Sequence, residues 1–262
     1  MVKLIRYFIK WAFHKETKCP RILMYHMVAN HISGKYFVDR VKTKNYLRVE
    51  PKEFETQVKW LIANGYSFHK MSDVLLSDLD EKSIFITFDD GFEDNYMNAY
   101  QILKKYNVPA TVYLVCNRFG GDWSTDRATG VASVELNSQP MLSDSQVKEM
   151  VASGLIEIGG HTLDHVKLNE ISDDEAWRQI SASRVEIVNK YNVACESFAY
   201  PFGYYNENNV LQVKQAGFKN ACSTIDGVDK DRLDKRFQLK RIMISGNDDF
   251  ISFKYKIKFA AG

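Results

Sequence analysis

Ser83-Ile84-Phe85-Ile86-Thr87-Phe88-Asp89-Asp90-Gly91 is an apolar, β-branched and aromatic run that stops in two adjacent carboxylates and a glycine. A short apolar run closed by a turn signal reads as a strand buried on both faces. Parallel α/β folds gather their sites beyond the C-terminal ends of such strands, so Asp89 and Asp90 stand where a site is expected. Outward from this strand, comparable runs recur over Ile22 to Tyr25, Ala110 to Val115, Leu155 to Ile158, Ser197 to Tyr200, Phe218 to Cys222 and Ile242 to Ile244. Segments of helical period separate them. Phe54, Val58, Leu61 and Ile62 repeat on one helical face before Gly65, and Ser143 with Gln146 and Ser172 with Glu175 form capping-box patterns. The alternation predicts parallel βα units, in a barrel or a doubly wound sheet.

The 262 residues carry 35 Lys+Arg against 33 Asp+Glu, a net charge of +2, and 45% of them are hydrophobic. This balance excludes disordered and collagen-like classes and gives no reason to expect nucleic acid as a partner. No apolar stretch reaches the roughly 18 residues that a membrane span needs. Cys19, Cys116, Cys195 and Cys222 lack C-x-x-C spacing and lie in or beside apolar runs, which predicts reduced, buried thiols. No linker or repeat divides the chain. It reads as an extension over 1–19, with Lys3, Arg6, Lys10 and Lys15 among aromatics, followed by one domain over 20–262. Charge interrupts the extension too often for a secretory signal. The expectation is a cytoplasmic chain, or one held peripherally at the inner membrane face through this basic amphipathic segment. Residues Asn117 to Pro140 show no clear period, and a connection of that length reads as a functional loop.

Three further strand ends carry polar or special residues. Ile22-Leu23-Met24-Tyr25 ends in His26; Leu155-Ile156-Glu157-Ile158 passes through Gly159-Gly160 into His161-Thr162-Leu163-Asp164-His165; Ser197-Phe198-Ala199-Tyr200 ends in Pro201-Phe202-Gly203. If the strands are parallel neighbours, all four ends meet on one rim. His161 and His165 at i, i+4 can face the same way on a helical turn, a spacing suited to two imidazole ligands of one metal. The position after the first histidine holds Thr162 and not Glu, so the zincin metalloprotease reading fails. Two His plus one carboxylate form a common catalytic set that leaves positions open for water. Adjacent aspartates at the end of an apolar strand repel unless a cation neutralises one. A division of labour follows, with one carboxylate binding metal and the other accepting a proton from water.

Thr87-Phe88-Asp89-Asp90-Gly91 and His161-Thr162-x-x-His165 resemble the first two motifs of the NodB-homology polysaccharide deacetylases, carbohydrate esterase family four. The resemblance runs over about residues 20–245. With Ile22-Leu23-Met24-Tyr25-His26 and Phe198-Ala199-Tyr200-Pro201-Phe202-Gly203 it is most similar to the poly-N-acetylglucosamine deacetylase branch, a circular permutation in which the catalytic histidine lies near the N-terminus. The resemblance implies a single-domain, irregular (β/α)7-type barrel. It implies Asp89 as general base, His26 as general acid, the backbone N–H of Phe202 as an oxyanion donor, and Asp90, His161 and His165 as ligands. They would hold one divalent metal, zinc or else cobalt, nickel or iron. The implied reaction is hydrolysis of N-acetyl groups on N-acetylhexosamine in a polysaccharide or lipid-linked glycan. Tyr200 and Trp123, in Asp122-Trp123 of the long loop, are the candidate sugar contacts.

This chain departs from the family pattern. The third motif usually places an arginine two residues before the proline, where this chain has Ala199. The cation that orients Asp89 must then come from another strand, with Arg241 preferred over Arg21. No histidine follows His165, so the late L-x-H motif is absent and His26 stands in for it. Asp164 reads as structural, and His14, His31 and His69 as surface or capping groups. A hydrolase of small cyclic or formyl amides, and a catalytically silent glycan-binding protein for which Ala199 is the sole support, are the competing functions.

Overall fold

The computed structural model describes residues 16–31, 46–117 and 139–260. The first fifteen residues of the extension and most of the long loop, Trp123 included, lie outside the described residues.

The strand that ends in Asp89 and Asp90, β5 (Ser83–Phe88), lies at the centre of the architecture. One edge of β5 pairs in parallel with β1 (Arg21–Tyr25) along its length, from Arg21↔Ile84 to Tyr25↔Phe88. Its other edge is shared: β4 (Ser67–His69) takes the N-terminal half and β6 (Ala110–Leu114) the C-terminal end. From β6 the sheet continues in parallel through β7 (Ile156–Gly160), β8 (Ser197–Ala199), β9 (Asn220–Asp226) and β10 (Leu239–Met243). β10 then pairs with β1. Seven strands therefore close a ring, with β4 as an extra strand outside it, which is the irregular (β/α)7-type barrel. A small separate pair, β2 (Met27–Val28) with β3 (Arg48–Val49), sits just beyond β1.

The helices follow the capping signals. α1 (Pro51–Ala63) buries Phe54, Val58 and Leu61 and stops before Gly65, whose φ is 72°. A π-helical segment over Asn95–Tyr100 runs directly into α2 (Gln101–Tyr106). α3 (Asp144–Ala152) has the complete Ser143/Gln146 capping box. In α4 (Asp173–Tyr191), Ser172 caps the N–H of Glu175, while the Glu175 carboxylate turns to Arg178 and Gln179. α5 (Glu207–Gln215) and α6 (Phe250–Phe259) complete the outer layer. The chain is tied to α6 from residue 17 onward, where the Thr17 N–H donates to Lys258 O at 2.8 Å.

Two cores result from the two faces of the strands. Outward residues pack under the helices, while inward Ile22, Phe85, Tyr113, Ala199, Cys222 and Leu239 fill the barrel with Met71 and Val74. Gly159 faces inward too. A Cβ there would lie 2.6 Å from the Tyr113 ring and 2.8 Å from Ser197 O, so only glycine admits the tyrosine. The N-terminal mouth of the barrel is plugged by a short turn, Met71–Asp73. Thr111 Oγ1 accepts the Met71 N–H at 3.0 Å, Glu157 Oε2 accepts the Ser72 N–H at 2.8 Å, and Asn220 Nδ2 donates to Met71 O at 3.0 Å. All four cysteines are buried and free, as their spacing predicts. No helix of the described residues is long and apolar enough to cross a membrane.

Candidate active site

Strand alternation brings Thr87, Asp89, His161 and Arg241 to the C-terminal end of the barrel, opposite the plugged mouth. Asp89 and Asp90 are both buried, at 2% and 4% exposure, yet they meet different partners. Asp89 is clamped by Arg241, with Nη1 to Oδ1 and Nη2 to Oδ2 both at 2.7 Å. Paired guanidinium–carboxylate bonds of this kind fix orientation as well as charge. Arg241 is itself wholly buried. Its Nε donates to Ser223 O at 2.9 Å, Nη1 also reaches Thr87 Oγ1 at 3.2 Å, and the guanidinium lies over the Tyr113 ring. Burial alone would raise the Asp89 pKa, but the Arg241 charge and its two hydrogen bonds outweigh it, and the carboxyl stays below its ordinary value.

Arg241 thus reaches Asp89 from β10, supplying a cation that Ala199 on β8 does not. Arg21, the second candidate for this contact, is at the other end of β1. Its guanidinium donates to the carbonyls of Cys19, Thr17, Ile257 and Glu81, and it is excluded from the site.

Asp90 turns away from Asp89 through a left-handed backbone, φ 77°. Its Oδ1 lies 3.4 Å from His161 Nε2 and 3.2 Å from His165 Nε2. Burial opposes ionisation of Asp90, and positive charge on the imidazole side of it, on His165 and His161 or on a cation they would share, holds the carboxyl well below the usual carboxylate range. Burial pushes the His165 imidazole down, toward the neutral form that ligates metals. His161 Nδ1 donates to Ala199 O at 2.7 Å, because a carbonyl can only accept; in the neutral ring Nε2 then carries a lone pair.

These donors fit a divalent cation. The three ligand atoms, all buried, lie within 4.8 Å of one another. Asp90 Oδ1 accepts no hydrogen bond despite two imidazole nitrogens beside it. Lone pairs facing one another at this separation repel unless a cation lies between them. Two ligands of one tetrahedral zinc, each about 2.0–2.1 Å from it, are about 3.3 Å apart, close to the separations found here.

His161 and His165 do not share a helical turn as their spacing suggested. They lie in a loop after β7, bent by Thr162 at φ 66° and His165 at φ 56°. Gln179, on the buried face of α4, holds this loop: its Oε1 accepts the N–H groups of Leu163 and Asp164 at 3.1 and 3.0 Å, and its Nε2 donates to Asp164 Oδ2 at 2.6 Å. Asp164 also accepts from Asn117 Nδ2, which fits its structural reading. Six described non-glycine residues have positive φ. Asn107 and Asn192 end helices, and the other four, Asp90, Thr162, His165 and Phe202, are all here. Such strain concentrates where surroundings over-determine the backbone.

Phe202, at φ 58°, stands in the turn after β8 with its ring 4.3 Å from that of His165. His26 occupies the one-residue break between β1 and β2, near both Asp89 and Asp90. Tyr200 does not face the site. Because Ala199 points into the barrel, Tyr200 points into the outer core, stacked 4.1 Å from Tyr205 with its hydroxyl donating to Phe237 O at 3.0 Å.

Residues 77–221 match the family model for polysaccharide deacetylase. That span contains Asp89, Asp90, His161, His165 and Phe202 and leaves His26 and Arg241 outside. The chain is 32% identical over 236 residues to YxkH of Bacillus subtilis (strain 168), covering 88% of this chain and 73% of that protein. It is 29% identical over 253 residues to a poly-beta-1,6-N-acetyl-D-glucosamine N-deacetylase of Staphylococcus aureus (strain MRSA252), covering 90% and 81%. A solved polysaccharide deacetylase structure from Bacillus cereus has a TM-score of 0.72 and 28% identity, over 93% of this chain and 70% of that one.

Proposed function

Because this chain belongs to the polysaccharide deacetylase family, we propose that it hydrolyses N-acetyl groups from N-acetylhexosamine residues of a polysaccharide or lipid-linked glycan. The observation that carries this reading is the split between two adjacent buried carboxylates: Asp89 is paired with a cation of the protein, and Asp90 faces two imidazoles.

Asp90, His161 and His165 would hold one divalent metal, with zinc the best match to the donor set. When bound, it supplies Lewis-acid polarisation of the amide carbonyl and a more acidic water. Asp89, kept ionised by Arg241 and aimed by the two guanidinium bonds, takes the proton from the attacking water. The Phe202 N–H, presented by a left-handed turn braced on His165, receives the developing negative charge on the acetyl oxygen. His26 gives a proton to the amine nitrogen as the C–N bond breaks, so acetate and a free amine leave. The silent glycan-binding alternative loses its only ground, since Arg241 makes the contact that Ala199 cannot.

Purified protein offered N-acetylglucosamine oligomers and a lipid-linked N-acetylhexosamine, with metal content and acetate measured together, tests this. Stoichiometric metal with acetate release that Asp89→Asn abolishes is the expected result, and the preferred acceptor gives the glycan class. Metal binding without acetate from either acceptor would move the activity to a small amide.

A further inference from the structure

His26 Nδ1 is buried and has no hydrogen-bond partner among the described residues. Among the described residues no side chain aims this ring through that nitrogen, and the contacts that place it are made to the backbone that carries it. That backbone is held in an unusual way. Three residues after Asp89-Asp90-Gly91 the chain enters the π-helical segment Asn95–Tyr100, and Asp94 before it, with Asn95 and Asn98 within it, directs polar side chains at the His26 segment. Asn95 Nδ2 donates to His26 O at 2.8 Å, Asp94 Oδ1 accepts the Val28 N–H at 2.9 Å, and Asn98 Nδ2 donates to Val28 O at 2.8 Å. Asn95 Nδ2 also donates to Asp94 Oδ1 at 3.0 Å, which ties two members of the clamp together. On the other side, the Asp89 N–H donates to Tyr25 O at 3.0 Å and the Met27 N–H to Leu47 O at 3.0 Å. A π-helical turn is rare and is found frequently at functional sites.

We propose that Asp94, Asn95 and Asn98 are positioning residues for His26, setting its ring against the departing amine. The inference rests on the reading of His26 as general acid. It makes the base, a metal ligand and the support of the acid parts of one continuous segment, Asp89 to Asn98, so that the proton acceptor and the proton donor keep a fixed separation across the substrate.

The test compares two substrates on the metal-loaded full chain. An N-acetyl amine needs a proton on its nitrogen to leave, whereas the 4-nitrophenolate of 4-nitrophenyl acetate departs without one. Asn95→Leu and Asn98→Leu each remove the donating amide while keeping a side chain branched at Cγ. Each is expected to lower kcat for the N-acetylglucosamine oligomer about 10- to 100-fold, with metal content retained and metal-dependent ester hydrolysis within about threefold of the parent. His26→Ala should show the same selectivity, more deeply. Equal loss of amide and ester hydrolysis in the asparagine variants, or no loss of amide hydrolysis, would overturn the clamp while leaving a selective His26→Ala, and so the reading of His26, intact. Unchanged amide hydrolysis in His26→Ala would overturn both. Asn98, being less buried than Asn95, carries the test if Asn95→Leu does not fold.

Discussion

The burden on Asp89 falls on one buried cation. Arg241→Met keeps the volume and removes the charge and both bonds, leaving the carboxylate without its partner in the barrel interior. We expect kcat for N-acetyl hydrolysis to fall about 100- to 1,000-fold with metal content unchanged, because Asp90, His161 and His165 do not touch Arg241. Loss of metal in the same variant would show that the two carboxylates do not divide the work. Asp94 offers a different residue-scale test. Burial raises its carboxyl from an ordinary 3.8 to about 6, against the pull of the Val28 N–H and Arg48. A carboxyl raised on folding gives stability that is complete below its unfolded value and lost as pH rises through about 6. The unfolding free energy of Asp94→Asn should therefore gain on that of the parent by about 1 kcal/mol between pH 5 and 7, within a total of about 3 kcal/mol from pH 3 to 7. A difference that does not change with pH would refute the assignment.

Elements separate what was legible from what was not. β5 is legible to the residue, and Asp89, Asp90, His161 and His165, which the structure brings to one end of the barrel, stand out as polar residues ending apolar strands. Arg241 is legible only through the resemblance, as one of two cations, with Arg21, that could replace the arginine absent at Ala199. β2, β3 and β4 were missed because two or three residues carry no period. The His161–His165 loop was misread as helical because spacing is blind to backbone sign, and left-handed residues other than glycine leave no compositional mark. Tyr200 was misplaced by one step of strand alternation. Gln179 escaped notice as one polar residue on a helix, although its position on the face shared with Ala176, Ile180 and Ser183 was the available signal. Its role can be checked. Gln179→Leu strips the loop of its acceptor, and zinc affinity measured against a chromophoric chelator should weaken about 10- to 100-fold. Unchanged affinity would show that the loop holds its shape alone.

For the whole molecule, the three buried ligand atoms converge from two parts of the ring separated by β6, the β5 end and the loop after β7, so metal binding and barrel integrity are coupled. Removing metal with a chelator should lower the thermal midpoint by several degrees and abolish acetate release, and zinc should restore both. An unchanged midpoint would mean that the ligands are satisfied without a cation. The closed ring also sets an order of events. Asp89 meets Arg241 across 152 positions of sequence, and β1 has no second neighbour until β10 exists. Contacts of such separation are slow to form, because a long loop must close first. During synthesis the base, the ligands and the histidine are all made before the arginine that orients the base. Until β10 is made, β1 and β9 lack the strand that joins them and Asp89 lacks its arginine, so closure of the ring and orientation of the base depend on the same last strand.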